Sequence, residues 1–298
     1  MSMLRALIKR NIKLFFKDKG LFFTALITPM ILLVLYATFL GNVYRDSLLM
    51  TLPEGLGLSD RVVSGYVGGQ MISSILAVSC VTVAFCSNML MVQDRASGVL
   101  RDLTVAPVKR NTLALSYYAA TLATTLLICL AATVGCLLYV AVIGWYLSAA
   151  DVLLLILDVL LLVMFGTAFS SFVNFFLSTQ GQISAVGSII SSTYGFVCGA
   201  YMPISQFPEG LQRVLSFLPG TYATSLMREH ALDGVFAAME EEGLPDVVTG
   251  LVRETVDCEI RFFDASVPTG VKYAVLGGAV LLLIGGYVML HSLSRRKR

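Results

Sequence analysis

Tyr-Met-Pro-Ile-Ser-Gln-Phe-Pro-Glu-Gly-Leu-Gln-Arg-Val-Leu-Ser-Phe-Leu-Pro-Gly-Thr-Tyr occupies residues 201–222. Pro203, Pro208 and Pro219 punctuate two apolar runs, each too short to cross a bilayer. Proline lacks the amide proton and breaks a helix interior. Broken helices at membrane depth survive only where protein or a water-filled cavity surrounds them. The stretch is therefore expected to turn back toward the membrane near one face, where a transport path would open; an ordinary amphipathic loop is the plainer alternative.

The rest of the chain supplies the membrane context. It has 298 residues, 57% of them hydrophobic and 13% charged, with a mean hydropathy of +0.82. Soluble domains carry about 25% charge, so this is an integral membrane protein. Crossing about 30 Å of hydrocarbon takes about 20 apolar residues. Six stretches qualify: 21–41, 67–92, 112–143, 152–177, 182–201 and 271–291. Residues 1–20 are too long and basic for an ordinary signal-peptide n-region, so the first span is expected to be an uncleaved anchor.

Orientation follows from Lys and Arg placement. Residues 1–20, the 93–111 loop and the tail hold fourteen of the twenty-one basic residues. An even span count puts all three on one side, expected to be the cytoplasm of a multi-pass cell-membrane protein. The 202–270 loop, with four arginines against eleven acidic residues, belongs outside. Within residues 1–20, Arg5, Lys9, Lys13 and Lys17 recur every four positions beside Leu4, Ile8, Ile12 and Phe16. That spacing predicts an amphipathic helix lying in the interface, cations toward lipid headgroups.

Inside the spans, Cys80, Cys86, Cys129, Cys136 and Cys198 read as small buried hydrophobes, while Cys258 stands alone in a polar loop. Ser184, Ser188, Ser192, Gly195 and Gly199 form a small-residue face on the fifth span. Such faces let helices approach closely, within one chain or against the same span of a second copy. Asp158 is the single acidic residue in a predicted span. It reads either as a cation or proton site or as a carboxylate paired with a hydroxyl or an outer basic residue. Beyond Pro219 a helix is expected from Thr221 to about Asp233, closed by Gly234, then two short amphipathic pieces split at Gly243-Leu-Pro245. The run Glu240–Glu242 reads as a solvated helix face.

No P-loop, nucleophile elbow or His-Glu-x-x-His zinc motif occurs in the sequence. No catalytic or metal-binding residue is assigned, and no cofactor or nucleic-acid partner is expected on this chain. The loop Gln93–Arg110 is more telling. Asp94, Arg95, Arg101 and Asp102 alternate in sign around Val99, Leu100 and Leu103, which suits a short charged helix stopped at Pro107. It has the form of a docking knob for a soluble partner.

This loop resembles the Glu-Arg-Glu-x-Gly-Thr-x-Glu-x-Leu…Pro-Val-Ser-Arg signature of type-2 ABC transporter permeases. Asp94-Arg95, Gly98, Leu103 and Pro107-Val-Lys-Arg110 match its skeleton; Arg101 replaces an acidic residue. Gly199, Pro203, Pro208, Pro219 and Arg228 match the family's second element after the fifth span. The polar stretch 235–264 is longer than in the simplest members.

The resemblance implies an all-α fold: a 1–20 interfacial helix, then a 21–298 domain with six transmembrane helices, a cytoplasmic coupling helix and re-entrant half-helices before the last span. It implies two copies of an ATP-binding subunit carrying ATP and Mg, a second permease protomer, identical or related, and surrounding membrane lipid. By the same likeness Asp94, Arg95, Gly98, Leu100, Arg101, Asp102, Leu103 and Pro107 would couple to the ATPase. The second and fifth spans would line the path, with Ser184, Ser188, Ser192, Gly195 and Gly199 upon it, and Pro203, Pro208 and Pro219 would form the outer gate. The cargo would be amphipathic or hydrophobic: a drug, lipid or lipopeptide. A non-transporting scaffold or receptor, or a lipid-acting membrane enzyme, are the alternatives; a scaffold need not stimulate an ATPase, and an enzyme would need a site that the sequence does not display.

Overall fold

A computed structural model describes residues 3–52, 57–105, 108–263 and 265–294. The chain is nearly all-α. It opens with α1 (Met3–Lys17), then α2 (Lys19–Leu35), which runs through a π-helical turn at Tyr36–Leu40 into α3 (Gly41–Thr51). Next come α4 (Asp60–Ala96), α5 (Val99–Val105), α6 (Arg110–Ile143), α7 (Ala149–Phe175) and α8 (Gln180–Val197). A 3₁₀ turn (Ile204–Gln206) and α9 (Glu209–Leu215) lead into α10 (Pro219–Glu241) and α11 (Asp246–Thr255). An antiparallel hairpin, β1 (Arg261–Phe262) and β2 (Ala265–Ser266), precedes α12 (Thr269–Ser294).

Among the described residues, five helical stretches are long and apolar enough to cross a membrane: 19–51, 60–96, 111–143, 149–175 and 269–290. The first is longer than the expected 21–41, because the π turn lets the helix continue into α3 rather than end. The expected 182–201 span corresponds to α8, which stops at Val197. Its Gln, Ser and Thr content keeps it out of the apolar class.

The helices wrap α4. Its apolar window is 89% buried, against 17% for α12. Small residues along α4 (Gly, Ser, Cys, Thr) let α6, α7, α8 and α10 pack against it. In the dry interior the Asn88 amide donates to Ser170 and Ser171 of α7, at 3.2 and 3.0 Å. The outward faces of α2, α6 and α12 carry exposed Phe23, Ile27, Leu138, Leu281 and Leu282, as lipid-facing helices do.

Several expectations need correction. The helix expected over Thr221–Asp233 runs on to Glu241. Gly234 does not end it: a Cβ there would stand 1.8 Å from the Tyr146 carbonyl, so glycine admits the 144–148 loop against α10. The break comes at Gly243 (φ +95), where it was expected. Glu242 is not merely a solvated face: its carboxylate accepts from the Ser59 amide and hydroxyl, the N-cap of α4. Cys258 is buried rather than alone in a polar loop. The two-stranded hairpin was not expected in the polar stretch.

Candidate functional site

At one end of α4 the charged loop takes shape from a single glycine. Gly98 adopts φ +86 and stops α4 after Ala96, so Asp94 and Arg95 form the last turn of α4 rather than the start of a separate helix. The short helix is α5 alone. Both charges turn inward. Asp94 accepts from Arg10 of α1 at 2.8 Å and from the Tyr117 hydroxyl of α6 at 2.5 Å. Arg95 donates to the Phe175 and Leu177 carbonyls, at 2.9 and 2.5 Å. Those carbonyls lie at the end of α7, where a helix leaves acceptors unfilled and favours a cation.

Leu100 and Leu103 of α5 rest on a cluster formed by Leu7, Leu90, Met91, Leu113 and Leu177. Asp102 and Val105 point outward, Val105 with 87% of its surface exposed. Pro107 and the Arg101 side chain lie outside the described residues. Helix α1 packs through Leu7, Asn11 and Phe15, one position off the stripe chosen from sequence; Leu4, Ile8 and Ile12 flank it half-buried.

The small residues of α8 divide. Ser184, Ser188 and Ser192 are exposed, whereas Ile183 and Gly187 of the same helix are buried. Gly195 is buried under the Tyr201 ring, which a Cβ would strike at 2.3 Å. Gly199 (φ +78) ends the helix. The three prolines each open an element: Pro203 before the 3₁₀ turn, Pro208 before α9, Pro219 as the first residue of α10.

At the opposite end of α4, Arg228 of α10 is fully buried. It donates to the carbonyls of Gly199 and Val256 and lies 3.4 Å from the Asp257 carboxylate. Asp257 also accepts from the Ile204 and Ser205 amides, capping the 3₁₀ turn. One guanidinium thus ties the end of α8, the proline segment and the end of α11. Burial raises the Asp257 carboxyl above its ordinary range, against the pull of Arg228 and the two amides. Burial pushes the neighbouring Cys258 thiol up to about 12, so it is inert.

Asp158 is paired, as the second of its two readings held. It accepts from the Tyr273 hydroxyl of α12 at 2.7 Å and lies 2.6 Å from His230 Nδ1. Next to it, Lys272 and Thr269 of α12 donate to Glu229 at 2.8 and 2.7 Å. Burial alone would lower the His230 imidazole, but Asp158, then Glu229 and Asp151, raise it above the ordinary histidine value. Burial would raise Glu229, yet Lys272 and Thr269 bring it below the ordinary range. Sequence reasoning missed Asp257, Glu229, Lys272 and Tyr273 as partners. The outer-loop position of His230 and the membrane depth of Asp158 were the only signals available.

Among the described residues no group of three or more His, Cys, Asp or Glu side chains is placed to hold a metal. The site is made of inter-helix hydrogen bonds and ion pairs, an exposed serine face and a seated loop helix. The sequence model of the ABC-2 type transporter family matches residues 3–231, from α1 into α10 and across Asp94–Arg95, α5, the three prolines and Arg228. No curated protein matches the chain.

Proposed function

Because this chain belongs to the ABC-2 type transporter family, and is thus a multi-pass ABC transporter permease, we propose that it is the membrane half of an ATP-driven exporter for an amphipathic or hydrophobic cargo such as a drug, lipid or lipopeptide. The family match over residues 3–231 is the observation that carries this reading. ATP and Mg would bind two copies of a separate subunit docked beneath α5. A second permease protomer would complete the path, with α8 as the sixth span and both termini in the cytoplasm beneath the cell membrane.

The packing supports a physical route for coupling. Helix α4 has 37 residues and is about 55 Å long. Its loop end is held through Asp94 and Arg95 to α1, α6 and α7; its far end touches α10 and, through Ser59, Glu242. A displacement delivered to α5 would travel along α4 to the proline segment. ATP can bias the permease only by binding one arrangement more tightly than the other. The α8 serines would face the path, and Pro203, Pro208 and Pro219 would set the hinges of the outer gate.

The test is reconstitution of the chain with an ABC ATP-binding subunit in proteoliposomes. ATP-dependent cargo movement and cargo-stimulated hydrolysis are expected. The double change Asp102→Arg with Val105→Asp alters exposed positions, so stability should move by no more than about 0.5 kcal/mol while hydrolysis and transport uncouple. Full coupling in that variant, or export without any ATPase, would refute the proposal.

A further inference from the structure

The end of the molecule away from α5 displays three phenylalanines in mutual contact. Phe217 follows α9, Phe262 closes β1, and Phe263 occupies the hairpin turn. Ring centroids lie 5.2 Å apart for Phe217–Phe262, 6.2 Å for Phe217–Phe263 and 5.0 Å for Phe262–Phe263, all near edge-on. Phe217 is 63% and Phe263 50% exposed, although burying such a ring is worth about 2–3 kcal/mol. Leu211 and Val214, spaced by three before Phe217, are exposed as well, while Leu215 on the inner side is buried.

Phe263 sits at φ +55. A bulky L-residue enters that left-handed region at a cost of about 1–2 kcal/mol, and hairpin turns there favour asparagine or glycine. The chain keeps an aromatic tip against both backbone preference and exposure. The hairpin is also well seated. Ile260 and Val267, on either side of it, pack with Tyr222 of α10 and Val275 of α12, and the Val267 amide donates to the Ile260 carbonyl at 2.9 Å.

The patch lies beside the start of a membrane-capable helix. Val267 lies two residues before that helix, α12, so the base of the hairpin adjoins its start. Arg213, over Phe263 at 5.7 Å, is paired with Glu209, and Arg261 with Glu254. This zwitterionic rim around an apolar centre matches a phosphatidylcholine surface, whose charged headgroups overlie hydrocarbon. Aromatic rings at that depth with arginines reaching to the headgroups are how proteins fix themselves at a membrane interface.

We propose that the Phe217–Phe262–Phe263 cluster inserts into the lipid leaflet on this side and holds the 201–222 segment at a fixed depth. The experiment uses the full chain in phosphatidylcholine nanodiscs. The native tryptophan is removed (Trp145→Phe) and a reporter is placed by Phe217→Trp or, separately, Phe263→Trp. Emission blue-shifted from that of hydrated indole is expected, with poor access to acrylamide and loss of most intensity when the lipid is brominated near its headgroup. The two reporters lie on different elements, so a folding failure of one leaves the other decisive. Water-like emission open to acrylamide would overturn the proposal. Shielding from acrylamide without quenching by brominated lipid would also overturn it, assigning the cluster to a protein contact.

Discussion

At the α5 end of α4 one carboxylate, Asp94, is shared between Tyr117 and Arg10, whose side chain is 29% exposed; at the far end Arg228, with no exposure, is held by two carbonyls and Asp257. Water reaches the cation of the first pair, Arg10, while the two carboxylates are alike, each side chain 9% exposed. It does not reach the cation of the second, where separation would strand a charge in an apolar interior. The pair with the open cation is expected to be the easier of the two to part. The loop end is closed by a cation that solvent reaches. The far end joins the end of α8, the proline segment and Asp257 through Arg228.

The sharpest way to break that contrast is Arg228→Met. It leaves Asp257 buried without its cation and two carbonyls without a donor. Breaking one side of a buried pair costs about 3–5 kcal/mol, so thermal unfolding of the purified protein in detergent should show a large loss. Adding Asp257→Asn should return part of it, since the stranded charge is gone. A wild-type melting profile for Arg228→Met would show that the far end is not locked as described.

A smaller effect is expected at the neighbouring pair. His230→Gln removes a partner of buried Asp158 but leaves the Tyr273 hydroxyl in place, a cost of about 1–3 kcal/mol. It should also change the pH dependence. The His230 pKa is raised in the folded protein by Asp158, Glu229 and Asp151, with burial opposing. A raised value gives stability that is fully present below the ordinary histidine value of about 6.5 and lost as pH climbs past the folded one. The wild-type melting temperature should therefore fall from weakly acidic to weakly alkaline buffer, and His230→Gln should flatten that slope. Glu229, paired with Lys272 beside the site and held below the ordinary range partly by His230 itself, stays ionised over this interval, so the change in slope reports the imidazole. An unchanged slope would place the proton elsewhere.

How far these features were legible depends on the range of the interaction that makes them. Helix α1 and the spans at α6, α7 and α12 follow from runs of apolar residues, a local property, and came within a few residues of the expected ends. Gly98 and Gly234 present the same letter, yet one ends a helix through a positive φ and the other admits a loop against α10; only the Tyr146 carbonyl tells them apart. Asp94 and Arg95 alternate in sign like a solvated flank, and nothing nearby in sequence says that Arg10, 84 residues earlier, and the end of α7 receive them. Arg228 was legible by resemblance, whereas Asp257 sat in a polar stretch without a pattern. The Asp158 carboxylate was legible as a problem to be solved, but not as one solved by His230 and Tyr273.

The smallest effect belongs to the loop end, and its size is the point. Arg10→Ala removes one donor from Asp94, which keeps the Tyr117 hydroxyl, and the donor to Asn11 Oδ1. Solvent already screens the half-open Arg10 side chain, which puts the loss at about 1 kcal/mol. A double-mutant cycle of Arg10→Ala with Asp94→Asn isolates the pair itself. Its coupling energy should be several-fold below that of the Arg228→Met and Asp257→Asn cycle measured in the same detergent. If the two cycles returned equal energies, the loop end would be as firmly locked as the far one, and α5 would not be the end that a docked partner can move.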